Sequence, residues 1–125
     1  MIILDTDFLI DLLNGIPAAV QKLKSVENQF LAVSAVSVLE LLYGAKKSNS
    51  KFDYGAFLET FSVLPFDVQD ANEAAQIRVK LESFGGRIGV EDEMIAGTAL
   101  SNNATILTRN LKHFRQIKGL KTGTW

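Results

Sequence analysis

Ile2-Ile3-Leu4-Asp5-Thr6-Asp7-Phe8-Leu9-Ile10 is the stretch that decides how this chain is read. Three consecutive apolar residues suit a short strand buried on both faces, and Asp5 follows them directly. Phe8 to Leu13 is apolar on nearly every side except Asp11, and Asn14-Gly15 stops it. That predicts a short helix that is buried or lies in an interface. A buried strand running through a carboxylate into a helix is the first unit of an α/β fold. It leaves an acidic group at a strand end, where such folds bind their ligands.

The same alternation continues along the chain. Pro17 is a good first residue for a second helix, with Ala19, Val20, Leu23 and Val26 turned inward. Phe30–Val36 reads as a second strand, followed by a helix from about Ser37 to Ala45 with Gly44 near its end. Phe61–Phe66 reads as a third strand, closed by Pro65. Ala71, Ala74, Ile77, Leu81 and Phe84 then recur at helical spacing up to Gly85-Gly86. Asp92 opens another helix with Ile95, Ala96, Ala99 and Leu100 inward, Thr105–Thr108 is a fourth strand, and Thr122–Trp125 suits a short fifth. The expectation is an α/β three-layer sandwich: a mostly parallel sheet of four to five strands, helices on both faces and right-handed crossovers.

Composition narrows the chemistry. A chain of 125 residues, 47% apolar, has the length of one domain spanning 1–125 and enough apolar surface to bury a core. The absence of cysteine removes disulfides, thiolate metal sites and a cysteine nucleophile. A single histidine, His113, rules out a histidine-rich zinc site. Any metal must be held by oxygen, which favours Mg²⁺ or Mn²⁺. Met1 leads straight into an apolar strand with no basic leader, and no apolar run approaches the roughly 20 residues that span a bilayer. A soluble, cytoplasmic protein is expected.

The net charge of −1 hides an asymmetry. The last acidic residue is Glu93. Beyond it the charged residues are Arg109, Lys112, Arg115, Lys118 and Lys121, so the segment from Met94 carries +5 and the rest −6. An acidic body beside a basic segment can hold metal in one place and attract phosphate in another.

Three acidic residues stand where a strand ends or a helix begins: Asp5, Glu40 and Asp92. Each has an ordinary explanation alone. Asp5 suits a helix N-cap, Ser37 and Glu40 have the spacing of a capping box, and Asp92 suits a second N-cap or a solvated acidic run with Glu91 and Glu93. Together they say more. A parallel sheet brings all three to one edge, where like charges repel and raise each other's pKa. A divalent cation removes that penalty and can promote hydrolysis of a phosphoryl group.

Four segments, taken in order, resemble the PIN-domain nucleases, and the VapC-type toxins in particular. They are Ile3-Leu4-Asp5-Thr6 with Leu9-Ile10; Ser34 through Glu40-Leu41-Leu42-Tyr43-Gly44; Gly89-Val90-Glu91-Asp92 with Ile95-Ala96 and Ala99-Leu100; and Leu107-Thr108-Arg109-Asn110 with His113-Phe114, Ile117 and Gly119-Leu120. The resemblance spans essentially the whole chain. It implies a PIN-like sandwich and an endoribonuclease that hydrolyses RNA phosphodiesters as the toxin of a toxin–antitoxin pair. Asp5, Glu40 and Asp92 would be ligands for Mg²⁺ or Mn²⁺. Thr6, Thr108 and Asn110 would support them or position water. A cognate antitoxin, received in an apolar groove near the site, and a homodimer are the implied partners. The chain departs from many PIN domains at Asn110, where a fourth acid is common.

The basic residues recur every three positions from Arg109. Arg109, Lys112 and Arg115 are candidates for RNA-phosphate contacts, Arg109 foremost because it adjoins Thr108 and Asn110, although a solvated face explains each one singly. His113 is expected to pack and hydrogen-bond. Two other readings compete: a PIN fold that binds RNA or protein without cutting, and a haloacid-dehalogenase-type phosphatase using Asp5 as nucleophile and Asp7 as acid.

Overall fold

The structure, a computed structural model, describes all residues from Met1 to Trp125. Its elements, in chain order, are β1 (Ile2–Leu4), α1 (Thr6–Leu13), α2 (Pro17–Val26), β2 (Leu31–Ser34), α3 (Ala35–Lys47), α4 (Tyr54–Leu58), β3 (Ser62–Leu64), α5 (Val68–Glu82), α6 (Val90–Ser101), β4 (Thr105–Leu107), α7 (Leu111–Phe114) and β5 (Lys121–Gly123). The five strands form one sheet in the order β3-β2-β1-β4-β5, and every pairing is parallel.

Side-chain alternation builds the two outer layers. Ile3, Ala32 and Ile106 face one side and join Ile77, Leu81, Ile95, Ala99 and Phe114 from α5, α6 and α7. Ile2, Leu4, Val33 and Leu107 face the other and join Phe8, Leu9, Ala19, Leu41 and Leu58 from α1 to α4. The strands are only three or four residues long, yet each serves two cores, so they read as continuous apolar runs. No helix is long and apolar enough to cross a membrane.

Helices α5 and α6 pack closely because Gly97 leaves room. A Cβ built there would lie 2.5 Å from the Asp70 carbonyl oxygen and 3.0 Å from the Ala74 nitrogen. Asp70, buried at 2% exposure, shares a capping box with Asp67 and takes the hydroxyls of Thr98 and Ser101 across the same seam. This seam fixes α6, and α6 carries Asp92.

Several boundaries differ from expectation for identifiable reasons. The second strand stops at Ser34, whose Oγ accepts the Ser37 amide at 3.0 Å and so caps α3 two residues earlier than expected. Gly44 does not end α3, which runs on to Lys47. Helix α6 begins at Val90 with Gly89 as N-cap, which puts Asp92 inside the first turn instead of at the cap. The third strand is trimmed to Ser62–Leu64, and the fifth lies at Lys121–Gly123, just before the expected Thr122–Trp125. The short helices α4 and α7 were not foreseen, being too brief for a periodicity to register.

Candidate active site

The sheet order places the site. From β1 the chain steps outward through β2 to β3, then returns to lay β4 on the other side of β1. The carboxyl ends of β1 and β4 therefore flank the point where the strand order reverses, the usual ligand crevice of such sheets. Register pairs Leu4 with Leu107, so Asp5 and Thr108 leave the sheet side by side.

Asp5 is buried at 6% exposure. It caps α1 by accepting the Thr6 amide at 2.8 Å on one oxygen, and its other oxygen accepts the Thr108 hydroxyl at 2.7 Å. The N-cap reading of Asp5 and its place in the site are thus both true of the same side chain. Burial raises its pKa from 3.8 to about 7; the Thr108 bond opposes the rise, and the nearby charges of Asp7 and Asp92 add to it.

Thr6 also donates its hydroxyl to Glu40 Oε1 at 2.8 Å, tying α1 to α3. Glu40 is half-buried and has no capping bond with Ser37, which lies inside the helix; the capping-box reading does not hold. Burial is the main cause of its raised pKa, with Asp92, Glu91 and Asp7 adding repulsion. Asp92 uses a single oxygen, Oδ2, to accept Asn110 Nδ2 at 2.9 Å and to meet His113 Nδ1 at 2.8 Å. An unprotonated nitrogen at that distance would set one lone pair against another, so His113 carries its proton on Nδ1 and donates it to Asp92. The neighbouring Glu93 points the other way, buried and paired with Arg78 at 2.6 Å.

Sequence reasoning underrated four residues. Asp7 was weighed only as a phosphatase acid, yet it sits in the same pocket. Its oxygens accept the amides of Phe8 at 2.7 Å and Arg109 at 2.8 Å, and burial raises its pKa against the pull of those bonds. His113 was read as a packing residue and is bonded to Asp92. Asp11 and Trp125 hold Arg109: its guanidinium is 2.9 Å from Asp11 Oδ2 and lies 4.8 Å from the centre of the Trp125 ring, while the indole N–H donates to Asp11 at 3.0 Å. The foremost candidate for a phosphate contact is therefore already paired. Lys112 and Arg115 are exposed and form no ion pair. The spacing Asp5, Asp7, Asp11 within one helical turn and a half was the available signal that α1 has an acidic edge.

The donor set suits a hard divalent cation. Asp5, Asp7 and Glu40 have no lysine or arginine side chain as an ion-pair partner, although each is at least partly buried. Glu40 and Asp92 each keep one carboxylate oxygen free of hydrogen bonds. As the side chains stand, no three acidic or histidine groups converge on one point, because Glu40 is turned toward Thr6 and Asp92 toward Asn110 and His113. Rotation about side-chain torsions, with the backbone fixed, is the rearrangement that would close a shell.

Comparison with known proteins agrees with this geometry. The PIN domain family matches residues 2–120. The chain is 35% identical to the tRNA(fMet)-specific endonuclease VapC of Shigella flexneri, over 98% of this chain and 96% of that one. Among solved structures, VapBC2 from Rickettsia felis bound to a DNA fragment from its promoter superposes with a TM-score of 0.87 at 30% identity, covering 100% of this chain and 99% of that one. A toxin–antitoxin complex from Klebsiella pneumoniae superposes with a TM-score of 0.77 at 27% identity, covering 96% and 95%. The chain belongs to the PIN-domain family. Within that family it groups with the VapC ribonucleases, and the phosphatase alternative built on Asp5 and Asp7 falls away.

Proposed function

We propose that this protein is a divalent-metal-dependent endoribonuclease, a single domain of residues 1–125 that acts in the cytoplasm as the toxin of a toxin–antitoxin pair. The observation that carries the reading is the group of carboxylates at the β1–β4 crevice, partly buried and without cationic side chains to balance it. Its kinship with VapC ribonucleases points the same way.

In this reading Asp5, Glu40 and Asp92 would hold Mg²⁺ or Mn²⁺. When bound, such an ion neutralises charge on the phosphoryl group and lowers the pKa of water. The protein's own part is positional. Thr108 and the Thr6 amide fix both oxygens of Asp5. Thr6 orients Glu40 and leaves its second oxygen available. Asn110 and His113 together orient Asp92. Lys112 and Arg115, at the start and just beyond the end of α7, supply positive charge for the RNA backbone. Single-stranded loops of structured RNA are the substrate class, because their unstacked strands reach a crevice that a duplex cannot enter. The tRNA specificity in the name of the Shigella relative makes tRNA the first substrate to try.

Ile10, Leu39 and Tyr43 are exposed at 45%, 65% and 62% on α1 and α3. They offer apolar surface to the antitoxin, in keeping with the toxin–antitoxin assemblies among the structural relatives, and a homodimer completes the proposed assembly.

The test is cleavage of total RNA and purified tRNA by antitoxin-free protein with Mg²⁺, with Mn²⁺ and with chelator, beside Asp5→Asn and Asp92→Asn. Discrete cuts that require metal and both carboxylates are expected. Folded protein that binds RNA but never cuts it would instead establish the binding-only reading, with Asn110 as its cause.

A further inference from the structure

Asp7 is an acid in an acidic pocket, and the simplest assumption is that it supplies the carboxylate missing at Asn110. Its contacts say otherwise. Oδ1 accepts the Phe8 amide at 2.7 Å and Oδ2 accepts the Arg109 amide at 2.8 Å, so each oxygen is committed to a backbone donor. Thr108 Oγ1 lies 3.5 Å from Asp7, but its one proton goes to Asp5 at 2.7 Å, and it accepts the Asn110 amide at 2.9 Å. The turn Thr108-Arg109-Asn110 is thereby strapped to α1 at consecutive residues: Thr108 by Asp5, the Arg109 backbone by Asp7. The Arg109 side chain adds a third tie, to Asp11. That turn delivers Asn110 to Asp92.

We propose that Asp7 is a positioning residue that works as a hydrogen-bond acceptor and not as a metal ligand: it fixes the Arg109 backbone so that Thr108 meets Asp5 and Asn110 meets Asp92. What matters at this position is one oxygen facing the Arg109 amide; the negative charge is dispensable. An asparagine can present that oxygen, leaving only the Phe8 amide, a first-turn helix donor, to find water. Alanine offers no acceptor at all.

The proposal rests on the nuclease reading for its kinetic arm and stands apart from it in its second arm. In the kinetic arm, Asp7→Asn retains kcat within about threefold of the parent, while Asp7→Ala loses at least about tenfold in kcat with the KM for RNA within about twofold. Asp5→Asn, run alongside, loses activity outright. In the second arm, amide hydrogen exchange followed by NMR reads Arg109 directly. Its amide is protected in the parent and in Asp7→Asn, and exchanges freely in Asp7→Ala, or in Asp7→Ser if the alanine variant fails to fold. Equal loss of activity in Asp7→Asn and Asp7→Ala would overturn the proposal in favour of a ligand role. So would an unprotected Arg109 amide in the parent protein. Failure of the parent to cut RNA would count against the nuclease reading alone and leave the exchange result to decide the role of Asp7.

Discussion

Thr108 donates its only hydroxyl proton to Asp5 across a separation of 103 residues, at 2.7 Å and almost fully out of contact with water. The bond does two jobs. It stabilises the ionised form of a carboxyl that burial pushes the other way, and it sets the direction of an oxygen at the crevice. Thr108→Val keeps the shape and removes the donor. A buried acceptor left unsatisfied costs on the order of 1–3 kcal/mol. The expected outcome is a folded protein with a lower melting temperature and RNA cleavage reduced roughly ten- to hundredfold. Steady-state kinetics beside a thermal melt measure both.

The raised pKa of Asp5 makes a signed prediction for metal-free protein. Between its ordinary value of 3.8 and about 7, the folded chain holds a proton that the unfolded chain has released. Stability in chelator therefore falls as pH rises through that window and remains low above it. Each pKa unit corresponds to about 1.4 kcal/mol, so the loss amounts to a few kcal/mol at most; Asp7 and Glu40, also raised, act in the same direction. Asp5→Asn is expected to melt higher than the parent at pH 8 in chelator while having no nuclease activity. Added Mg²⁺ is expected to stabilise the parent and leave the variant unmoved. Melts at pH 5 and pH 8, with and without metal, check this.

Arg109 and its basic neighbours should separate cleanly. Because its guanidinium is engaged by Asp11 and Trp125, Arg109→Ala should lower thermal stability and kcat more than it weakens RNA binding. Lys112→Ala and Arg115→Ala should weaken RNA binding severalfold and flatten its salt dependence, each by about one counterion, with the melting temperature unchanged. Binding to catalytically dead Asp92→Asn protein, titrated at several salt concentrations, distinguishes the two patterns.

Gly97 lies far from the chemistry and still governs it. A methyl group there would meet the Asp70 carbonyl at 2.5 Å, which forces α5 and α6 apart. Overpacking of this kind costs about 1–3 kcal/mol. Gly97→Ala is expected to lower the melting temperature by several degrees and to reduce cleavage beyond what the loss of folded protein explains, since α6 places Asp92. Circular-dichroism melts and specific activity at a temperature where the variant is fully folded test both parts.

Much of this architecture is legible in the residues. The apolar triplet Ile2–Leu4 with Asp5 at its end locates the central strand, and Gly85-Gly86 closes the long helix at its observed limit to within a few residues. Asp5, Glu40, Asp92 and Asn110 are gathered as expected, because a parallel sheet leaves few other places for strand ends to go. What could not be read is side-chain direction. Nothing in the order of letters says that Arg109 turns to Asp11 and Trp125 instead of outward, or that Asp92 prefers His113 to open solvent. Those choices depend on contacts between residues far apart in sequence. Local competition explains the rest: Ser34 and Ser37 both suit a helix cap, and the outcome depends on where β2 must stop to keep its register with β1 and β3.

The strap between β4 and α1 also bears on when in its life the molecule becomes active. Asp5 leaves the ribosome among the earliest residues, and its partner Thr108 follows 103 positions later. Strand β1 stays bare on the β4 side until that late segment arrives, because β4 is its neighbour there. A nascent chain halted before Thr108 holds its first acid unsupported and cannot orient Asp92 through Asn110. The chain is thus harmless to the RNA of the machine that makes it for most of its own synthesis, and the capacity to cut is acquired in one late step.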